Sequence, residues 1–224
     1  MAYDLEEQEQ LDQLKAFWNK YGNLISWVLI VVLAGYAGWT YWSNMQSSHA
    51  SQAAGLYGTL ETAMQAKDDA KAKTAAEDIR KDFGQTVYAQ LSALDSAKMA
   101  QDAKDNKLAK TQLQWVIDSK YNDEFVAIAR IRMAGVLLDE KAYDDAMKLL
   151  AAEVPAKFQV MAMDRKGDVL AAQNKIDEAR AMYKSALDKT DENSPAHTMI
   201  ELKLESVGGS SDKSAGKGAD KSAA

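Results

Sequence analysis

Nineteen consecutive residues from Leu24 to Trp42, LISWVLIVVLAGYAGWTYW, carry no charge. At a rise of about 1.5 Å per residue, a helix of that length covers roughly 28 Å, the thickness of bilayer hydrocarbon. The rest of the chain is charged and rich in Ala, with 27 Lys and Arg against 33 Asp and Glu. One transmembrane helix tethering a soluble domain follows, rather than a pore or transporter, and membrane lipid is a partner of the chain.

The flanks of the run favour a retained anchor. Trp18, Tyr21 and Trp27 gather at one end and Trp39, Tyr41 and Trp42 at the other, where amphipathic rings gain by lying at the membrane–water interface. A signal peptide has a shorter apolar core, about 7–15 residues. The small-x-small tripeptide Ser48-His49-Ala50 lies beyond the run, and cleavage there is not expected. Lys15 and Lys20 precede the span and nothing basic follows it until Lys67. The bias predicts a cytoplasmic N-terminus and a translocated C-terminal domain. The segments are then 1–22 cytoplasmic, 23–43 transmembrane, 44–206 domain and 207–224 tail. Before the span, Leu11, Leu14, Trp18 and Tyr21 recur every three or four residues and give a helix one apolar face. That face either continues into the span with its aromatics at the interface or lies on the cytoplasmic membrane surface or against a partner's cytoplasmic loop, the first being favoured. Within the span, Ala34, Gly35 and Gly38 form a small-residue patch of the kind that lets helices pack closely in lipid.

There is no cysteine, which excludes disulfides and thiolate metal sites. The domain contains only Gly55, Gly58, Gly84, Gly135 and Gly167, with Pro155 and Pro195, too few for a protein of many tight β-turns. An all-α fold follows. Breaks are predicted near Lys67–Asp69, Gly84–Gln85, Asp105–Asn106, Lys120–Asn122, Glu140–Ala142, Pro155, Gln173–Lys175 and Asn193–Pro195. The tail from Val207 is built of Gly, Ser, Ala, Lys and Asp, and is expected to lack order.

Shifted by 33 residues, the chain places Arg132 on Arg165, Ala134 on Gly167, Tyr143 on Ile176 and Ala146 on Ala179. A period near 33–34 with two helices per unit is that of tetratricopeptide arrays. The second copy carries Gly167, Ala179, Tyr183 and Ala186, small residues for close helix approach with Tyr183 filling the gap to the next helix. The first has Ala134, Ala146 and Leu150, but Glu153 where the last Ala belongs, and Arg130 and Met163 replace the early aromatic. A third unit, Ala97 to Val116, is spaced nearer 37. The fold class is a single transmembrane helix followed by a tetratricopeptide-like helical-hairpin repeat domain.

The helix from Asn122 to Asp139 is apolar over more than one face. Val126, Ala129, Met133, Val136 and Leu137 share one side, while Phe125, Ile128, Ile131 and Leu138 make another. In this register Ile128, Ile131 and Leu138 point, with Met161 of the next unit, into a concave groove suited to extended or helical peptide. Burial by another helix of the same chain is the alternative.

No catalytic constellation can be assembled. The only histidines, His49 and His197, lie far apart in sequence, and Gly208-Gly209 follows no strand and so makes no phosphate loop. Asp68-Asp69, Asp144-Asp145 and Asp177-Glu178 fall at predicted helix starts, where free N–H groups stabilise negative charge. A non-enzyme without cofactor or metal is expected, and the net charge of −6 gives no reason to expect nucleic acid.

QLDQLKAFWNKYG before the span, GYAGWTYW at its exit, TVYAQLSALDSAKMA and DEFVAIARIRMAGVLLDEKAYDDAMKLL together resemble the YfgM family, the ancillary subunit of the bacterial SecYEG translocon. The resemblance covers residues 5–205, with Asp123–Leu150 its most specific part. It implies a single-pass inner-membrane protein with a periplasmic tetratricopeptide-like domain. Its implied partners are SecYEG, a membrane-anchored periplasmic chaperone of the prolyl-isomerase type, PpiD, and exported polypeptides leaving the translocon. No catalytic residues come with it. A scaffold for cell-envelope synthesis or outer-membrane assembly is the rival reading.

Overall fold

The computed structural model describes residues 3–210, with side chains from Gln10 onward. The chain divides into two compact units, the first ending at Gln52 and the second beginning at Ala53. The expected tail beyond residue 210 lies outside the described residues.

The first unit is the N-terminal part of helix α1 (Tyr3–Gln65), which contains a stretch long and apolar enough to cross a membrane. Leu29, Val31, Leu33 and Tyr36 are all exposed there. The edges drawn at 22/23 and 43/44 are changes of chemistry and not of backbone, because α1 runs through both. Gly22 costs only about 1 kcal/mol in a helix interior, and no proline is present to break it.

The second unit is a run of antiparallel helical hairpins. The last turns of α1 pair with α2 (Asp69–Phe83), α3 (Val87–Asp102) with α4 (Asn106–Ser119), α5 (Asp123–Asp139) with α6 (Tyr143–Ala151), and α7 (Gln159–Ala172) with α8 (Ile176–Leu187). A single 3-10 turn at Ala156–Phe158 precedes α7, and α9 (Pro195–Ser206) packs on α8. All eight predicted breaks coincide with gaps between these helices.

The turn inside each hairpin has one left-handed residue. These are Lys67 (φ 56°), Lys104 (φ 59°), Lys141 (φ 60°) and Asn174 (φ 61°), separated by 37, 37 and 33 positions. Asp68 and Asp105 follow as N-caps and accept hydrogen bonds from the amides of Lys71 and Leu108 at 3.1 and 2.9 Å. The acidic pairs 144–145 and 177–178 occupy the first turns of α6 and α8, where the helix field favours them. The backbone register therefore reveals a hairpin that sequence comparison misses, the one formed by α1 and α2. Its first helix is continuous with the apolar run, which hides its start.

The register extends to α9 with a spacing of 38. Ser92, Ala129, Ala162 and Ile200 occupy one buried column in α3, α5, α7 and α9, and Val136, Val169 and Val207 occupy another. Val207 thus belongs to the fold, although the sequence places it in the tail. Gly208 (φ +72°) and Gly209, whose amide donates to the Leu204 carbonyl at 2.9 Å, close α9 in the left-handed turn that glycine allows. Arg180 donates to the Val207 carbonyl at 2.8 Å and pins this end to α8.

The first helices of successive hairpins approach closely, α3 with α5 and α5 with α7, whereas the second helices α2 and α4 meet through long side chains, Arg80 donating to the Gln112 side-chain oxygen at 2.9 Å. The layer of first helices is therefore the inner side of the curve. Clefts open between the splayed second helices. One of about 160 Å³ has Ser96, Met99, Ala100 and Ala103 as its floor, with Lys73 and Arg80 of α2 on one wall. Its counterpart one repeat on is floored by Met133 and Leu137.

Candidate interaction surface

Each first helix reaches back to the one before it through a polar side chain at a constant position. Arg132 of α5 donates to the Leu94 carbonyl of α3 at 3.2 Å. The Arg165 guanidinium of α7 lies against Gly135 of α5, 3.4 Å from where a Cβ would stand. Lys203 of α9 donates to both carboxylate oxygens of Asp164 on α7, at 2.7 and 2.8 Å. Arg132, Arg165 and Lys203 follow the 33- and 38-residue spacings that the buried columns set.

The last of these contacts belongs to a cluster. Asp168 accepts from Arg165 at 3.2 Å, from Lys203 at 3.1 Å and from the Tyr183 hydroxyl at 2.9 Å. Burial raises the Asp164 carboxyl above its ordinary pKa, and its like-charged neighbour Asp168 adds to this, while the Lys203 bond opposes them. Burial, then the adjacent Asp168 charge, push the Tyr183 phenol well above its usual value. Partly buried opposite charges joined by several hydrogen bonds favour one geometry, so the cluster fixes α9 against α7. Among the described residues, no three histidines or carboxylates gather as metal ligands.

One turn before each of these cations stands an apolar side chain: Ile128 before Arg132, Met161 before Arg165 and Met199 before Lys203. Ile128 is half-buried against the α3–α4–α5 core, whereas Met161 is 49% and Met199 58% exposed. They form an apolar row along the inner layer, and exposure rises toward the C-terminal end.

This row corrects the groove expected from sequence. Ile131 is only 2% exposed and belongs, with the half-buried Leu138, to a core cluster with Ala146, Leu150, Ala162 and Val169 of α6 and α7. At 100° per residue, Ile131 sits about 60° around α5 from Ile128, which turns it from the inner face to the flank that the next hairpin covers. The four residues do not converge. Ile128 and Met161 stay on the inner face, and Met199, which the sequence reading missed, joins them. The signal was present as Met161-x-x-x-Arg165 recurring as Met199-x-x-x-Lys203, but the 38-residue spacing conceals it from a test at 33.

The small patch in the first unit is open. Ala34 is exposed, and no heavy atom lies within 4 Å of a Cβ built on Gly35 or Gly38.

A family profile described as a tetratricopeptide repeat-like domain matches residues 15–209. A Neisseria gonorrhoeae protein named ancillary SecYEG translocon subunit is 32% identical over 208 residues, spanning 92% of this chain and 100% of that protein. The chain belongs to this family. Relatives of the same name from Haemophilus influenzae and Escherichia coli are 29% and 24% identical over 80% and 90% of the chain, covering 91% and 96% of their own lengths. The matched region of this chain runs through the glycine turn at 208–209.

Proposed function

We propose that the chain is a membrane-anchored, non-catalytic ancillary subunit of the SecYEG translocon. Its repeat domain lies on the periplasmic side and receives exported polypeptides together with a membrane-anchored prolyl-isomerase-type chaperone of the PpiD kind. The observation that carries the reading is similarity along the whole length of a Neisseria protein named for that role, apolar run and repeats alike. The charge bias of Lys15 and Lys20 supports a cytoplasmic N-terminus. Ala34, Gly35 and Gly38 offer a flat surface for a helix of the translocon or of the chaperone.

In this reading Ile128, Met161 and Met199 contact apolar stretches of the emerging chain, since flexible methionines adapt to many sequences. Two measurements test it. A reporter active only after export, fused after Gly209, is expected to be active; activity of a cytoplasmic reporter alone at that site refutes the topology. Co-purification in mild detergent is expected to recover SecYEG subunits prominently, and recovery of envelope-assembly proteins in their place refutes the translocon role.

A further inference from the structure

The apolar row of the inner layer begins one helix before Ile128. Leu91, Ile128, Met161 and Met199 take one register position in α3, α5, α7 and α9, separated by 37, 33 and 38 residues. Leu91 and Ile128 are half-buried, and Met161 and Met199 are half-exposed. Three residues before the first three of these, Tyr88, Phe125 and Phe158 form a column of half-buried rings. Each ring packs at the seam with the preceding hairpin: Tyr88 on the cluster of α1 and α2, Phe125 on that of α3 and α4, Phe158 on that of α5 and α6.

Among the described residues, the charges bordering this apolar lane are already matched. Glu124 and Lys157, beside the rings, pair with each other at 2.6 Å. One turn after the row, Arg132, Arg165 and Lys203 have partners within the chain, and α3 carries Asp95 there, which accepts from the Tyr57 hydroxyl at 2.7 Å. The lane is narrow, since only three residues, about 4.5 Å of helix rise, separate the rings from the row. It also has no strand edge, because its walls are helices whose backbone groups bond within themselves.

We propose that this lane binds an uncharged stretch of polypeptide in the polyproline II conformation, with an apolar residue at every third position. The inference rests on the inner row being the client surface and adds the conformation and spacing of what it holds. Packed helices stand about 8–10 Å apart, and α3, α5 and α7 follow one another closely. One turn of polyproline II is three residues and about 9 Å, so successive turns set one side chain on each first helix. A β-strand repeats every two residues, about 6.6 Å, and needs ladder partners that the lane lacks. A helix is about 10–12 Å across and would lie over the paired charges. Polyproline II keeps its backbone in water and docks by side-chain contact with aromatic-lined grooves.

The test uses the full chain in detergent and fluorescent peptides of one length and composition, built from Leu, Gln and Ser. Their leucines fall at every third, every second or every seventh position. Fluorescence anisotropy is expected to show the every-third peptide binding at least tenfold more tightly than the others, and more tightly still when the residues between its leucines are proline. Met161→Asp should weaken that binding at least tenfold, and Lys81→Asp, at an exposed position of α2, should leave it unchanged. Equal binding of the three spacings that Met161→Asp still abolishes would keep the inner row as the client surface and overturn the every-third register. Preference for either other spacing, loss of binding on adding proline, or insensitivity to Met161→Asp overturns the proposal. Binding of none of the peptides overturns the register and the inner-face reading together.

Discussion

The Tyr183 ring of α8 occupies the space that a side chain at position 167 of α7 would need. A Cβ on Gly167 would stand 2.4 Å from Tyr183 Cε1, closer than any real contact. The glycine is required by the packing of the ring, not by its own backbone. Tyr183 is 3% exposed and packs in a cluster with Ala179, Leu187, Ile200 and Leu204, so the ring joins its own hairpin to α9 as well as filling the gap expected from sequence. It follows that Gly167→Ala should displace the ring and destabilise the domain by about 1–3 kcal/mol. Thermal melting of the detergent-solubilised protein checks this, and an unchanged midpoint would show that the ring yields freely.

Ala179 is fully buried where α7 and α8 cross. Ala179→Leu inserts a branched side chain into that crossing and should cost about 1–3 kcal/mol. A loss read by chemical denaturation, with no change in far-ultraviolet dichroism before unfolding, is the expected signature.

Two apolar residues on neighbouring first helices should respond oppositely to the same change. Ile131→Asp places an unpaired carboxylate in the core and should cost roughly 3 kcal/mol or more. Met161→Asp, at a half-exposed site, should leave the melting midpoint within about 0.5 kcal/mol of the parent while reducing crosslinking of exported chains to the inner face. Equal stability of the two variants would mean that the α5–α7 interface does not close as described.

The tyrosine cluster gives a pH dependence with a definite sign. In the unfolded chain a phenol ionises near pH 10. In the native fold burial and Asp168 hold the Tyr183 proton to higher pH, so ionisation favours unfolding and stability falls as pH rises past about 10. Tyr57, half-buried and donating to Asp95 at 2.7 Å, is shifted upward in the same way and adds to the effect. Tyr183→Phe should weaken the alkaline loss, and adding Tyr57→Phe should weaken it further. Melting between pH 8 and 11 would reveal the difference, and an identical slope in all three proteins would remove these phenols from the account.

Much of this protein is legible in its residues because the signals are local. The uncharged run from Leu24 to Trp42, the scarcity of Gly and Pro, and the caps at Asp68 and Asp105 each act within a helix or a turn. The helices, their breaks and the repeat class therefore follow from sequence. The destination of an apolar face is different, because it depends on what arrives from another hairpin. Ile128 and Ile131 are chemically alike and three residues apart, yet α7 closes over Ile131 and leaves Ile128 at the inner surface. The same holds for Leu202, whose counterparts Leu94 and Ile131 are buried only because a further helix follows them. Composition and periodicity make a side chain apolar and assign it to a face. Whether that face is core or surface is decided by the neighbouring hairpin, since burial is a property of two packed elements and not of one.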